Sequence, residues 1–132
     1  MTETYAYFWI EDFHESIKEI SSRIGLQPTR AHLQGELNER GRPCRASHWE
    51  IYSAVPRDEE FLDAHITAVV DLLEPAREKL IALHATHQMG IMCVGYYGGN
   101  PGFNLSEELV ARCAALRLGL QFDLYCTGGP SE

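Results

Sequence analysis

Positive charge is scarce in this chain: 132 residues carry 11 lysines and arginines against 19 aspartates and glutamates, a formal net charge of −8. Nucleic-acid binding draws its affinity from neutralising phosphates, so this balance counts against it. Long apolar runs are missing; none approaches the ~18 residues a membrane span needs. The N-terminus has neither the basic segment nor the small-residue cleavage site of a secretory signal. Cysteine is limited to positions 44, 93, 113 and 126 with no CxxC pair, which predicts free thiols in a reducing cytoplasm rather than a disulfide framework. There is no GxGxxG, no lysine-serine/threonine pair in Walker spacing, no GxSxG and no HExxH. No internal repeat or low-complexity segment occurs. No motif in the chain therefore fixes a reaction.

The remaining composition, 45% hydrophobic and 23% charged, is that of a globular protein. The length predicts one domain over residues 1–126 with a flexible C-terminal tail at 127–132. A domain of this size buries about two-thirds of its unfolded surface and is expected to need neither metal nor disulfide to fold, and no cofactor is assigned.

The stretch from Met89 to Leu105 organises the chain. Met89 to Tyr97 reads as a strand with no polar face, the mark of a strand inside its sheet. Gly98, Gly99, Asn100, Pro101 and Gly102 stop it. Ser106 is placed to cap a helix over 107–117, with Glu107 and Glu108 in its first turn and Leu105 and Val110 at staple spacing. Val110, Cys113, Ala114 and Leu116–Arg117 are expected around its apolar side and Gly119 at its end. Two readings of the corner stand side by side: an anion cradle of successive amides, or a plain tight connection.

Before it, Thr4 to Glu11 reads as a strand with Tyr5, Tyr7 and Trp9 on one face and Ala6, Phe8 and Ile10 on the other. Asp12 with Glu15 predicts the cap of a helix carrying Phe13, Ile17, Ile20 and Ile24 and ending at Gly25. Arg30 to Leu37 predicts a short edge strand, 38–45 an exposed basic loop, and Ser47 to Val55 a second strand with His48, Glu50, Tyr52 and Ala54 opposite Trp49, Ile51 and Ser53. Asp58, Glu59 and Glu60 open a helix whose stripe is Leu62, Ile66, Val69, Val70 and Leu73. Pro75 kinks it or starts another. Leu120 to Cys126 is the last strand. The order predicts an α+β fold: a two-layer α/β sandwich on a mixed sheet, with a ferredoxin-like β-α-β-β-α-β start and an added α-β. The second sheet face would carry Tyr5, Tyr7, Trp9, Tyr96, Asp123 and Tyr125.

Candidate binding residues follow from chemistry. Aromatics and arginines anchor interfaces, which singles out Tyr7, Trp9, Trp49, Tyr96, Tyr125, Arg30 and Arg45. Asp123 lies in a strand between aromatics and is the acid to consider first; Asn100 sits in the glycine corner. Residues 30–57 hold five arginines against three glutamates, and residues 58–78 hold seven acids against one arginine. Asp58, Glu59, Glu60 and Asp63 thus form a candidate acidic interaction face. His84 and His87 share a helical face but lack a third ligand, so no metal site is assigned.

TYAYFWIED, GLQPTR, HWEI, LLEPAREKL, NPGFNLSEEL and QFDLYC occur in order along nearly the whole chain. Together they resemble a family of small bacterial proteins called domain of unknown function 4279. The resemblance implies a compact bacterial domain with no established activity, and marks Pro28, Thr29, Trp49, Asn100, Pro101, Gly102, Phe103, Asp123 and Tyr125. Three functional readings remain open. The first is a non-enzymatic protein-interaction module, with an immunity-type protein that neutralises a basic toxin as its concrete form. The second is a small-molecule or anion binder, or an enzyme, with a pocket near the 98–103 corner, Arg30 or Arg45 holding an anion and Asp123 as acid or base. The third is a homodimer through the aromatic sheet face.

Overall fold

Alternation of apolar and polar residues decides which side of each strand meets the helices. The computed structural model describes residues 3–99 and 102–126. Five strands, β1 (Glu3–Glu11), β2 (Arg30–His32), β3 (His48–Tyr52), β4 (Gln88–Tyr97) and β5 (Leu120–Cys126), form one sheet in the order β2-β3-β1-β4-β5. β1 pairs antiparallel with β3 and β4, β2 antiparallel with β3, and β4 parallel with β5. The sheet is thus mixed, and β4 lies inside it, as its two apolar sides predict. Helices α1 (Ile17–Ile24), α2 (Leu62–Leu73), α3 (Arg77–His84) and α4 (Glu107–Ala115) complete the α+β fold, with a 3-10 turn at Glu74–Ala76 between α2 and α3. Pro75 sits in the first turn of that 3-10 segment, so the long apolar stripe is broken into two helices.

All four helices share one buried cluster with Ala6, Phe8, Ile10, Trp49, Ile51, Met89, Ile91 and Cys93 from one face of the sheet. The α2 stripe of Leu62, Ile66, Val69, Val70 and Leu73 is fully buried, as the helical spacing requires. Burying each such side chain is worth about 1.5–3 kcal/mol. Trp49 belongs to this core, where its indole N–H donates to Ser21 Oγ at 3.0 Å. Gly25 ends α1 with φ 82, the left-handed conformation expected of it.

Several boundaries differ from the sequence pattern. Asp12 does not cap α1. It adopts φ 57 at the exit of β1, where its amide still donates to Ser47 O at 2.9 Å. The cap is Ser16, whose hydroxyl accepts from the Glu19 amide at 3.1 Å. Both Asp-x-x-Glu and Ser-x-x-Glu satisfy the capping pattern, and the turn after β1 selects the second. Asp58, Glu59 and Glu60 lie in the loop before α2, not in its first turn. That helix has no side-chain cap, and buried His65 reaches back from Nε2 to donate to the Glu59 carbonyl at 2.8 Å. Ser106 caps α4 as predicted, accepting from the Leu109 amide at 3.1 Å. The buried side of α4, however, is Leu109 and Cys113 followed by Leu116, while Val110 is 50% exposed and Ala114 and Arg117 face outward. No staple forms through Val110. Arg117 (φ 58), not Gly119, makes the left-handed turn that ends α4; the Leu118 amide then bonds Cys113 O at 3.2 Å. β2 is shorter than the run that predicts it because the 38–45 loop closes on itself, its Asn38 side chain accepting from the Arg40 and Arg42 amides; β3 ends early at Tyr52, whose amide donates to Thr29 Oγ1 at 3.0 Å. Asn100, Pro101 and the predicted tail 127–132 lie outside the described residues.

No helix of the described residues is long and apolar enough to cross a membrane.

Candidate functional site

The second face of the sheet carries no helix among the described residues, and strand register arranges its side chains in rows. Tyr7 stands opposite Tyr52, Trp9 and Arg30 flank Glu50, and Glu11 and His32 flank His48. On the far side Tyr96 pairs with Tyr125, and Val94 with Asp123. Gly90 faces the Trp9 ring so closely that a Cβ there would lie 3.1 Å from the indole. That absent side chain lets the indole lie flat over β4 and donate to Gln121 Oε1 at 2.7 Å.

Glu50 is the node of the β2–β3–β1 half. It is only 5% exposed although it points away from the helices. His48 Nε2 lies 2.8 Å from its Oε2, the Tyr52 hydroxyl donates to Oε1 at 3.1 Å, and Arg30 Nε stands 3.7 Å from Oε1. Burial works to raise the Glu50 carboxyl. The His48 hydrogen bond and charge, the Tyr52 hydroxyl and Arg30 together outweigh it and hold the group below the ordinary range. The same hydrogen bond raises His48 above its usual value despite partial burial. The His48 ring stacks on His32 with centroids 5.6 Å apart, and its Nδ1 faces Glu11 at 3.5 Å. A cavity of about 330 Å³ opens above this group, walled by Tyr5, Tyr7 and Tyr52.

The tyrosines form two stacks. Tyr7 and Tyr52 lie 4.8 Å apart, with Tyr5 5.8 Å from Tyr52; Tyr96 and Tyr125 lie 4.8 Å apart. The Arg57 guanidinium covers the Tyr5 ring at 3.9 Å from its centroid. Burial and then Glu50 push the Tyr7 phenol up to about 12, and the same causes raise Tyr52. These hydroxyls stay protonated near neutrality and serve as donors and acceptors rather than as bases.

Of the residues singled out in the sequence, Tyr7, Trp9, Tyr96, Asp123 and Tyr125 share the uncovered face. Arg30 joins them at its β2 edge. Arg45 stands beside Arg30, His32 and His48 around a second cavity of about 430 Å³. Asp123 is not part of that cavity: it belongs to β5, the opposite edge strand from β2, and its bond to Tyr125 raises that phenol. The arginines and Asp123 therefore do not converge, and neither arginine lies at the corner that follows β4. Trp49 is in the core and presents nothing to this face. Asn100 is outside the described residues. Asp58 and Glu60 are exposed and Asp63 is half-buried on α2. The sequence reading missed Glu50, His48, Tyr52, His32 and Arg57. The alternation within HWEIY placed the first three on the right face; no pattern in the sequence put Arg30 opposite Glu50.

His84 and His87 do not form a ligand pair. His87 Nε2 lies 2.8 Å from Glu15 Oε2, while His84 is exposed. Among the described residues no group of three or more His, Cys, Asp or Glu side chains is arranged to hold a metal. All four cysteines are free, and burial pushes the Cys93 thiol up to about 12.

Neither the curated proteins nor the solved structures contain a match to this chain. A family model does match, over residues 2–127, and it spans every strand and helix described above. The chain belongs to the family described as Domain of unknown function (DUF4279).

Proposed function

We propose that this chain is a protein-interaction module that docks a basic partner on its tyrosine-lined sheet face. The observation that carries the reading is the composition of that face: Tyr5, Tyr7, Trp9, Tyr52, Tyr96 and Tyr125 lie across the strands between Glu3, Glu11, Glu50 and Asp123, with no helix of the described residues over them. Rigid aromatic rings lose little entropy on contact, and rings flanked by carboxylates favour guanidinium and ammonium groups. Arg57 already packs on Tyr5 in this way. The net charge of −8 adds long-range attraction for a basic protein. An immunity-type role, in which the face occludes a basic toxin, is the concrete form of this reading. The β-α-β-β-α-β course and the strand order β2-β3-β1-β4 support a ferredoxin-like description of the first four strands. β5 then adds a parallel edge that widens the face.

Affinity capture from the native host, at low and high salt, tests the proposal when wild type is compared with Tyr5→Ala/Tyr125→Ala. The reading expects a near-stoichiometric basic protein on the wild type that is salt-sensitive and lost from the double variant. Equal retention by both proteins would contradict it, and a wild type that captures only itself would favour the homodimer.

A further inference from the structure

We propose that the cavity between β2, the start of β3 and the 36–45 loop binds a small organic oxyanion, a carboxylate or phosphate group held by Arg30, Arg45 and His48. This goes beyond the docking of a protein and stands independently of it. Three observations converge on the cavity of about 430 Å³.

First, its cations are under-neutralised. Arg45 makes no ion pair among the described residues, and Arg30, with its side chain 72% exposed, has only Glu50 at 3.7 Å. A guanidinium presents donors in a planar fork that matches an oxyanion, and two of them on one cavity leave that capacity largely unused.

Second, His48 is held in place for this use. Its Nε2 is taken by Glu50 at 2.8 Å, and its ring is fixed by stacking on His32. The remaining nitrogen, Nδ1, faces Glu11 at 3.5 Å, too far for a good hydrogen bond. With a proton on each nitrogen, the imidazolium donates from Nε2 to Glu50 and has its Nδ1–H left to donate to an oxyanion in the cavity.

Third, Glu11 shows which charge this edge attracts. Its carboxylate, with the side chain 47% exposed, lines the cavity 3.5 Å from Nδ1 as an intramolecular competitor. An oxyanion in the cavity gains Nδ1 and both guanidinium forks, whereas Glu11 reaches only the first. Glu11 is the carboxylate that lines this cavity; Glu50 lies against His48 and Arg30, and Glu36 and Glu39 line the adjoining cavity with Arg30 and His32. Glu50 is already engaged on both oxygens, so Glu11 is the group a ligand displaces.

The test is isothermal titration calorimetry of the full chain with inorganic phosphate and with succinate, at ionic strength held constant with sodium chloride. The proposal expects saturable binding of at least one probe with a Kd of about 1 mM or tighter. The probe that binds assigns the class, phosphate or carboxylate. Arg30→Gln and Arg45→Gln, both at exposed positions that leave the core intact, should each weaken binding about tenfold. Glu11→Gln should tighten it. Lys18→Gln, which removes one positive charge from α1, should leave it unchanged. The proposal is overturned if neither probe binds, if both arginine variants bind as wild type does, or if Lys18→Gln weakens binding as much as they do.

Discussion

A carboxylate that is 5% exposed on a sheet face that no helix of the described residues covers stays ionised only because its neighbours make it so. Glu50 meets that condition through His48, Tyr52 and Arg30, and the coupling has a pH signature. His48 binds its proton more tightly in the folded chain than at its ordinary value of 6.5. Its contribution to stability is therefore complete below about pH 6.5 and fades as pH rises through the raised folded value. Glu50 runs the other way: its contribution is present above its ordinary 4.5 and fades as pH falls through the lowered folded value. The pair is strongest between these limits. His48→Gln should cost about 1.5 kcal/mol at pH 6, and the gap to wild type should narrow by pH 9, as read from thermal melts. A gap that is constant with pH would mean the pair is not charged. Gly90→Ala is a second residue-scale prediction. The new methyl meets the Trp9 indole at 3.1 Å, so the ring must give by a few tenths of an ångström against its bond to Gln121 and its fluorescence should shift, whereas buried Trp49 is unaffected.

At the scale of elements, ends matter more than middles. Ser16 and Ser106 each satisfy an orphan helix amide, and Ser16→Ala or Ser106→Ala should cost about 1 kcal/mol in urea unfolding with an unchanged m-value. Arg117 holds a left-handed backbone that glycine adopts without strain, so Arg117→Gly should gain about 1 kcal/mol in the same measurement. The same contrast explains what the sequence disclosed. β1 and the α2 stripe were legible because periods of 2 and 3.6 repeat over many residues and identify the buried side; β4 was legible from its unbroken apolar run, and β5 from its alternation, although as an edge strand it has no buried residue. Helix starts were less legible because Asp12 and Ser16 both meet the capping pattern, and only the turn after β1 distinguishes them. At α4, Leu109 and Val110 are adjacent and equally apolar, so composition could not say which one faces the core. The tyrosines of the uncovered face followed from alternation alone. So did His48, Glu50 and Tyr52 of the Glu50 node; its Arg30 arm did not, because it depends on the register of β2 against β3 across the 38–45 loop, and loop geometry leaves no periodic trace.

At the scale of the whole molecule, charge and shape act together. In the proposed reading, the net charge of −8 draws a cationic partner from beyond contact distance and the tyrosine face supplies the short-range contacts. Asp58, Glu59, Glu60 and Asp63 precede or open α2, near Arg57, whose carbonyl accepts from the Thr4 amide at 2.9 Å beside the first residues of β1. Reversing these four acids to lysine should slow association with the captured partner and flatten its salt dependence while changing dissociation little. Unchanged association kinetics would remove these acids from the account and leave the sheet face alone.

The central claim is that the tyrosine-lined face receives guanidinium groups. The measurement that tests it most directly is a two-dimensional amide NMR titration of the full chain with a short arginine-glycine repeat peptide. The account predicts that the largest shifts fall on Tyr5, Tyr7, Tyr52, Tyr96 and Tyr125, and that they disappear in Tyr5→Ala/Tyr125→Ala. Shifts confined to residues 58–63, or no shift at any amide, would contradict it.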